Sequence, residues 1–238
     1  MSLNRIALVL VFAFTTSASR PTEASIILNG DFEAGNNSFT SGYVYTAGFN
    51  TTEGQYTVRT DPQNWNGVFF AMPDHTLGGP LQRGNMLVVN GATSGSPSVW
   101  QQLVNVTAST DYDFSMWVST AVAGGPASLV VSINGVDLGT PFSAPNNPGR
   151  WIQLLASWNS GASTTADIKI VNGNLSVFPN DFYVDDISFA SQGAAAVPEP
   201  SSLAIFAFGA GCVSVGQLRR RRLKAVDDLA RNSTATQR

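Results

Sequence analysis

Thiols are almost absent from this chain. Among 238 residues there is one cysteine, Cys212, in an apolar run near the C-terminus. The stretch between residues 25 and 196 therefore has no disulfide, no zinc–thiolate site and no cysteine nucleophile. A domain of that length needs no disulfides, because its core is large enough to hold it together. Basic residues are scarce in the same stretch. It has twelve acidic side chains but only Arg59, Arg83, Arg150 and Lys169 as bases, a balance of −8 against −3 for the whole chain. Such a surface repels nucleic acid and tolerates or recruits a divalent cation. Histidine is limited to His75. Beside Asp74 it has the form of a general base, but no nucleophile motif accompanies it, so a ring packed or hydrogen-bonded in a loop is the plainer expectation. Paired carboxylates for glycoside hydrolysis are also missing, since Asp185 and Asp186 are chain neighbours that would point apart on a strand. Helical periodicity is nearly absent between residues 25 and 190.

What is present there is a series of short Val-, Ile- and aromatic-rich runs separated by Gly, Pro, Asn and Ser, the pattern of an all-β domain. In "DYDFSMWVS" Tyr112, Phe114, Met116 and Val118 share one face, and Asp113, Ser115, Trp117 and Ser119 the other. "ASLVVSINGVDLGT" predicts a hairpin turning at Asn134-Gly135. About nine strands at this spacing predict a β-sandwich or jelly roll. In "DFYVDDISFA" the apolar parity changes from Phe182 and Val184 to Ile187 and Phe189. Either a bulge sits at Asp185-Asp186, or the strand is buried on both faces.

The five tryptophans all fall in the domain. Sugars stack on exposed aromatic faces beside amide and carboxylate groups. Trp117, on the polar face of its strand, and Trp65, in the polar loop "DPQNWNG", are the candidate ligand-binding tryptophans. Tyr43 and Tyr45, with Phe49 and Tyr56, could edge a groove. Trp158 shares parity with Ile152 and Leu154 and is assigned to the core. Packing against the second sheet is the competing expectation for every tryptophan.

The ends are of another kind. Residues 1–24 have Arg5, an apolar core over 6–14 and small residues after it, the form of a secretory signal peptide cleaved after Ala18 or Ala24. Residues 25–190 form the folded domain, and 191–200 a small, polar, proline-bearing linker. From Pro200 to Leu218 there are 19 residues without a charge, close to the ~30 Å of a bilayer core. A transmembrane helix is predicted over 201–218, followed by a basic cytoplasmic tail over 219–238.

Two resemblances add to this. "NGDFE" (Asn29 to Glu33), "DHTLGGPLQRGNML" (Asp74 to Leu87) and "DFYVDDISF" (Asp181 to Phe189) occur in an order that resembles the galactose-binding-like jelly rolls, including carbohydrate-binding modules and the cysteine-bearing MAM domains. The resemblance implies a structural cation, Ca2+ by its oxygen chemistry, where the first and last strands meet. The matching positions are Glu33, Asp74, Asp185 and Asp186. Turn-capping and edge-protecting aspartates are the alternative.

Pro198-Glu199-Pro200, the apolar span and Arg219, Arg220, Arg221 and Arg222 resemble the PEP-CTERM sorting signal of exopolysaccharide-making Gram-negative bacteria. That resemblance implies an exosortase partner and release from the inner membrane to the cell surface or matrix. The tail from Leu223 to Arg238 is longer than such proteins usually carry. Together these features lead to the expectation of an exported, non-catalytic surface or matrix protein, with a jelly roll able to bind extracellular polysaccharide. A purely structural or adhesive component is the alternative, and a polysaccharide-acting enzyme the third.

Overall fold

The computed structural model describes residues 23–77 and 83–193. The sorting motif, the apolar span, the basic tail, most of the linker and all but the last two residues of the signal peptide lie outside these residues. The described chain is all-β and contains eleven strands. In chain order they are β1 (Val44–Tyr45), β2 (Gln55–Arg59), β3 (Met86–Asn90), β4 (Ser98–Asn105), β5 (Asp111–Thr120), β6 (Ser128–Ile133), β7 (Val136–Asp137), β8 (Phe142–Ser143), β9 (Ile152–Asn159), β10 (Thr165–Asn172) and β11 (Phe182–Ser191). They form a jelly-roll β-sandwich. One sheet has the order β1-β2-β3-β11-β5-β9; the other runs β4-β10-β6-β7, with β8 also on β6. All pairings are antiparallel except β1 with β2.

Alternation builds the core. Tyr112, Phe114, Met116 and Val118 of β5 turn inward to meet Leu129, Val131 and Ile133 of β6 and Ile168 and Ile170 of β10 in one cluster. Trp100 is fully enclosed there, and Trp158 packs half-buried at its margin. The β6–β7 connection is the hairpin expected at Asn134-Gly135, with φ of 53° and 79°. Those two left-handed residues define the tight turn whose twist matches the flanking strands.

The parity change in the last strand is a bulge. Asp185 pairs with Trp117 and Ser188 with Ser115, so Asp186 and Ile187 together oppose Met116. Asp186 takes up the extra length at φ 48°. Phe182, Val184, Ile187 and Phe189 all reach the same core as a result. The opening segment runs beside this strand: Ile26 N–H donates to the Phe189 carbonyl, and Ile187 N–H to the Gly30 carbonyl.

The six-stranded sheet also carries a second, smaller core on its outer face. Residues 60–77 fold over β3 and β11, placing Trp65, Phe69 and Met72 on Met86, Val88 and Tyr183. Tyr183 donates its hydroxyl to the Phe70 carbonyl at 2.8 Å, tying this roof to the sheet.

Candidate functional site

The roof ends at the bulge, where the three sequence motifs converge. Asp185 is fully buried. Its Oδ2 accepts the backbone N–H groups of His75 (2.7 Å) and Thr76 (3.3 Å), and its Oδ1 that of Asp186 (2.9 Å). Burial pushes its carboxyl up to about 8; those N–H groups pull the other way, and the neighbouring Asp186 charge adds to the rise. Because of the bulge, Asp186 turns out of the sheet. Its Oδ2 lies 2.5 Å from His75 Nδ1, and its Oδ1 accepts the Thr76 hydroxyl.

Asp74, also fully buried, accepts Gly84 N–H at 2.8 Å and Leu77 N–H at 2.7 Å. Glu33 accepts Asn85 N–H at 2.7 Å. Burial raises the Glu33 carboxyl; the Asn85 N–H opposes this, and the charges of Asp74, Asp31 and Asp186 add to the rise. Gly84 is required where these groups meet, because a Cβ there would fall 2.2 Å from Glu33 Oε1 and 2.7 Å from Asp74 Oδ2.

The four carboxylates singled out in the sequence are thus neighbours at one corner of the sandwich, with His75 as their only ion-pair partner among the described residues. Their charge and oxygen chemistry suit calcium. Both oxygens of Asp74, Asp185 and Asp186 already have partners, whereas Glu33 has one oxygen bound by the Asn85 N–H and one free among the described residues; Glu33 and Asp74 converge at Gly84. Among the described residues no three His, Cys, Asp or Glu side chains form a ready-made cage.

The histidine is held by aromatics as well as by Asp186. Its ring stacks on Trp117 with centroids 3.9 Å apart and planes 16° from parallel, and its edge meets Trp151 at 6.0 Å. Trp151 donates its indole N–H to the Pro73 carbonyl. Trp117 is half-buried on the outer face of β5, between Asp185 on one side and Gln153 on the other.

Beyond it the face is open. Ser115, Asp113 and Asp111 continue along β5, and exposed Gln153, Leu155, Ser157 and Asn159 along β9. Ser157 donates to Asp113 at 2.9 Å, and Asn159 to Asp111 at 2.6 Å. The result is a shelf with an aromatic head and a row of hydroxyl, amide and carboxylate groups. At the outer side of β9 the shelf borders a groove of about 640 Å³, whose far wall runs from Asp137 to Phe142.

Two of the expected ligand residues do not face solvent. Trp65 has no exposed surface; its indole N–H donates to the Thr46 carbonyl and its ring faces Phe69. The loop containing it is polar in sequence, but the loop folds onto the sheet and uses Trp65 as its anchor. Tyr43 is buried in the main core, its hydroxyl accepting Ala92 N–H at 3.0 Å. Tyr45 is 42% exposed and rests edge-on against Tyr56. Phe49, also exposed, lies beside Gly67 on the same rim. Trp151 and Gln153 enter the site without having been singled out in the sequence. Trp151 lies just outside its strand, and Gln153 belongs to a run whose alternation is weak.

No family model matches the chain, and no curated protein matches it. Solved structures do. A Stig cyclase from Fischerella sp. TAU superposes with a TM-score of 0.52 at 10% identity, over 73% of this chain and 100% of that one. The CBM22-1 xylan-binding domain of Paenibacillus barcinonensis Xyn10C gives 0.46 at 14% identity, over 75% and 100%. TmCBM61, solved with β-1,4-galactotriose, gives 0.43 at 18% identity, over 70% and 98%. The likeness to the cyclase is one of fold.

Proposed function

We propose that the chain is an exported, non-catalytic protein of the cell surface or extracellular matrix whose jelly roll binds polysaccharide along the β5–β9 shelf. The observation that carries this reading is the half-open Trp117 at the head of a polar row, on the half of the sheet face that residues 60–77 do not cover. An indole face packs against the C–H face of a pyranose, while flanking amides and carboxylates bond its hydroxyls. Xylan, and a polysaccharide that contains the β-1,4-galactotriose unit, are the first probes, after the ligands named for the two binding domains above. The test is retardation of the full-length protein in native gels containing such polysaccharides. Binding lost in both Trp117→Ala and Gln153→Ala, with unchanged far-UV circular dichroism, supports the reading. Equal retardation of the variants and the parent overturns it, as does measurable polysaccharide turnover.

A calcium ion at the acidic corner belongs to the same proposal. Glu33 and Asp74 would supply carboxylate oxygens, with Asp185 and Asp186 neighbouring it, and the ion would relieve the mutual repulsion of the four. The proposal includes export by the N-terminal signal and exosortase sorting at Pro198-Glu199-Pro200. Mass spectrometry of the surface fraction tests this: a mature C-terminus near that motif supports it, and a full-length membrane species alone contradicts it.

A purely structural or adhesive role is favoured by one feature, the long edge strand β9. It has eight residues without a charge, a proline or a bulge, and it exposes Leu155. Natural edge strands usually carry such protection. Concentration-dependent self-association without polysaccharide binding would select that reading.

A further inference from the structure

A second group of oxygen ligands gathers on the backbone of residues 90–92, at the end of β3. Gly91 is its centre. Its N–H donates to Asp181 Oδ1 at 2.9 Å, and its carbonyl accepts the N–H of Gly54, the residue after Glu53. The Asn180 amide lies so close over the Gly91 Cα that a Cβ there would fall 2.2 Å from Asn180 Oδ1. Asn180 has no exposed surface. Its NH2 group donates to the carbonyls of Ala92 (3.1 Å) and Asn174 (3.0 Å), which fixes the amide orientation. Its Oδ1 is therefore turned onto Gly91, buried and without a donor. Glu53 Oε2 is likewise buried without a donor. Asp181 is 3% exposed.

The charge here is uncompensated. The ion pairs among the described residues are His75 with Asp186 and Arg83 with Asp61, and neither involves Glu53 or Asp181. Burial pushes the Asp181 carboxyl up to about 6. It pushes Glu53 up to about 7, with the Asp181 charge adding to the rise. Burial raises the Tyr43 phenol in the same cluster; the Ala92 N–H that its hydroxyl receives opposes this, and the Asp181 and Glu53 charges add to the rise. Asp181 is buried, Glu53 is half-buried with one enclosed oxygen, and both they and the orphaned Asn180 oxygen are costly unless a proton or an oxygen-seeking cation satisfies them. With no imidazole or thiol among them, the donors select a hard cation over zinc or copper.

We propose that Glu53, Asp181 and Asn180 Oδ1 hold a divalent, oxygen-seeking cation of the calcium class. This site is separate from the acidic corner, at the start of β11 where the corner lies at its bulge. Occupied, it pins the segments 50–54 and 90–92 to the loop 173–181, whose tip exposes Val177 and Phe178.

The test is calorimetric titration of chelator-stripped full-length protein with calcium chloride, for the parent, Glu53→Gln and Glu33→Gln. The expected result is that Glu53→Gln binds one calcium fewer than the parent, while Glu33→Gln keeps the site that Glu53→Gln loses. Equal stoichiometry and affinity in Glu53→Gln and the parent overturns the inference, whatever happens in Glu33→Gln. Loss confined to Glu33→Gln places calcium at the corner alone. Hydrogen exchange of the parent needs no variant. Calcium is expected to slow exchange at residues 52–55 and 90–92, and protection restricted to residues near 33, 74–76 and 185–187 contradicts the second site.

Discussion

The outer face of the six-stranded sheet is two regions on one surface. Over β3 and β11 it is roofed, and Trp65, Phe69, Met86, Val88 and Tyr183 are buried to 1% exposure or less. Over β5 and β9 it is open, with Leu155 70% exposed and polar side chains paired across the strands. The boundary is the stack of Trp117, His75 and Trp151 beside the bulge. The difference shows what the roof is for. Residues 60–77 hide an apolar half-face that would otherwise be sticky. Among the described residues, the half over β5 and β9 is left with an aromatic ring and polar groups within reach of a ligand.

The comparison breaks first at the roof. Trp65→Ala removes a fully enclosed ring and is expected to cost about 3–5 kcal/mol, read by urea denaturation. If it costs under 1 kcal/mol, the roof is an ornament and the two halves are alike. The next effect is at the boundary. Gly84→Ala forces a methyl onto the buried Asp74 carboxylate and should cost about 1–3 kcal/mol, with Gly48→Ala as the unstrained control because nothing lies within 4 Å of a Cβ there. A smaller shift is expected with calcium: chelator should lower the melting temperature of the parent, and less so that of Glu33→Gln. The smallest effect belongs to the open half. Leu155→Ser should change stability by no more than about 0.5 kcal/mol, and a larger loss would mean the shelf is structural after all.

The strand alternation at 112–119, the Asn134-Gly135 hairpin and the change of parity around Asp185-Asp186 were legible because each has a fixed period to follow or break. The convergence of Glu33, Asp74, Asp185 and Asp186 was legible through their motifs. The roof was not. Residues 60–77 have no periodicity, and "DPQNWNG" looks like a solvated turn although its Trp65 is the anchor. Trp65 is enclosed for that reason, and Tyr43, outside the roof, is enclosed in the main core where its hydroxyl accepts the Ala92 N–H. Glu53 and Asp181 could not be linked at all, because only the pairing of β3 with β2 and β11 brings Gly54, next to Glu53, and the Asp181 carboxylate to Gly91.

The central claim is that the open half is where this protein meets polysaccharide. The most direct measurement is the dissociation constant of full-length protein for a bound polysaccharide, compared between the parent, Trp117→Ala on the shelf and Tyr45→Ala on the β1 rim. Loss of stacking on one aromatic face corresponds to about two- to tenfold in affinity. The expected result is a loss of that size in Trp117→Ala and near-parental binding in Tyr45→Ala. The reverse pattern, or parental binding in both, would contradict it.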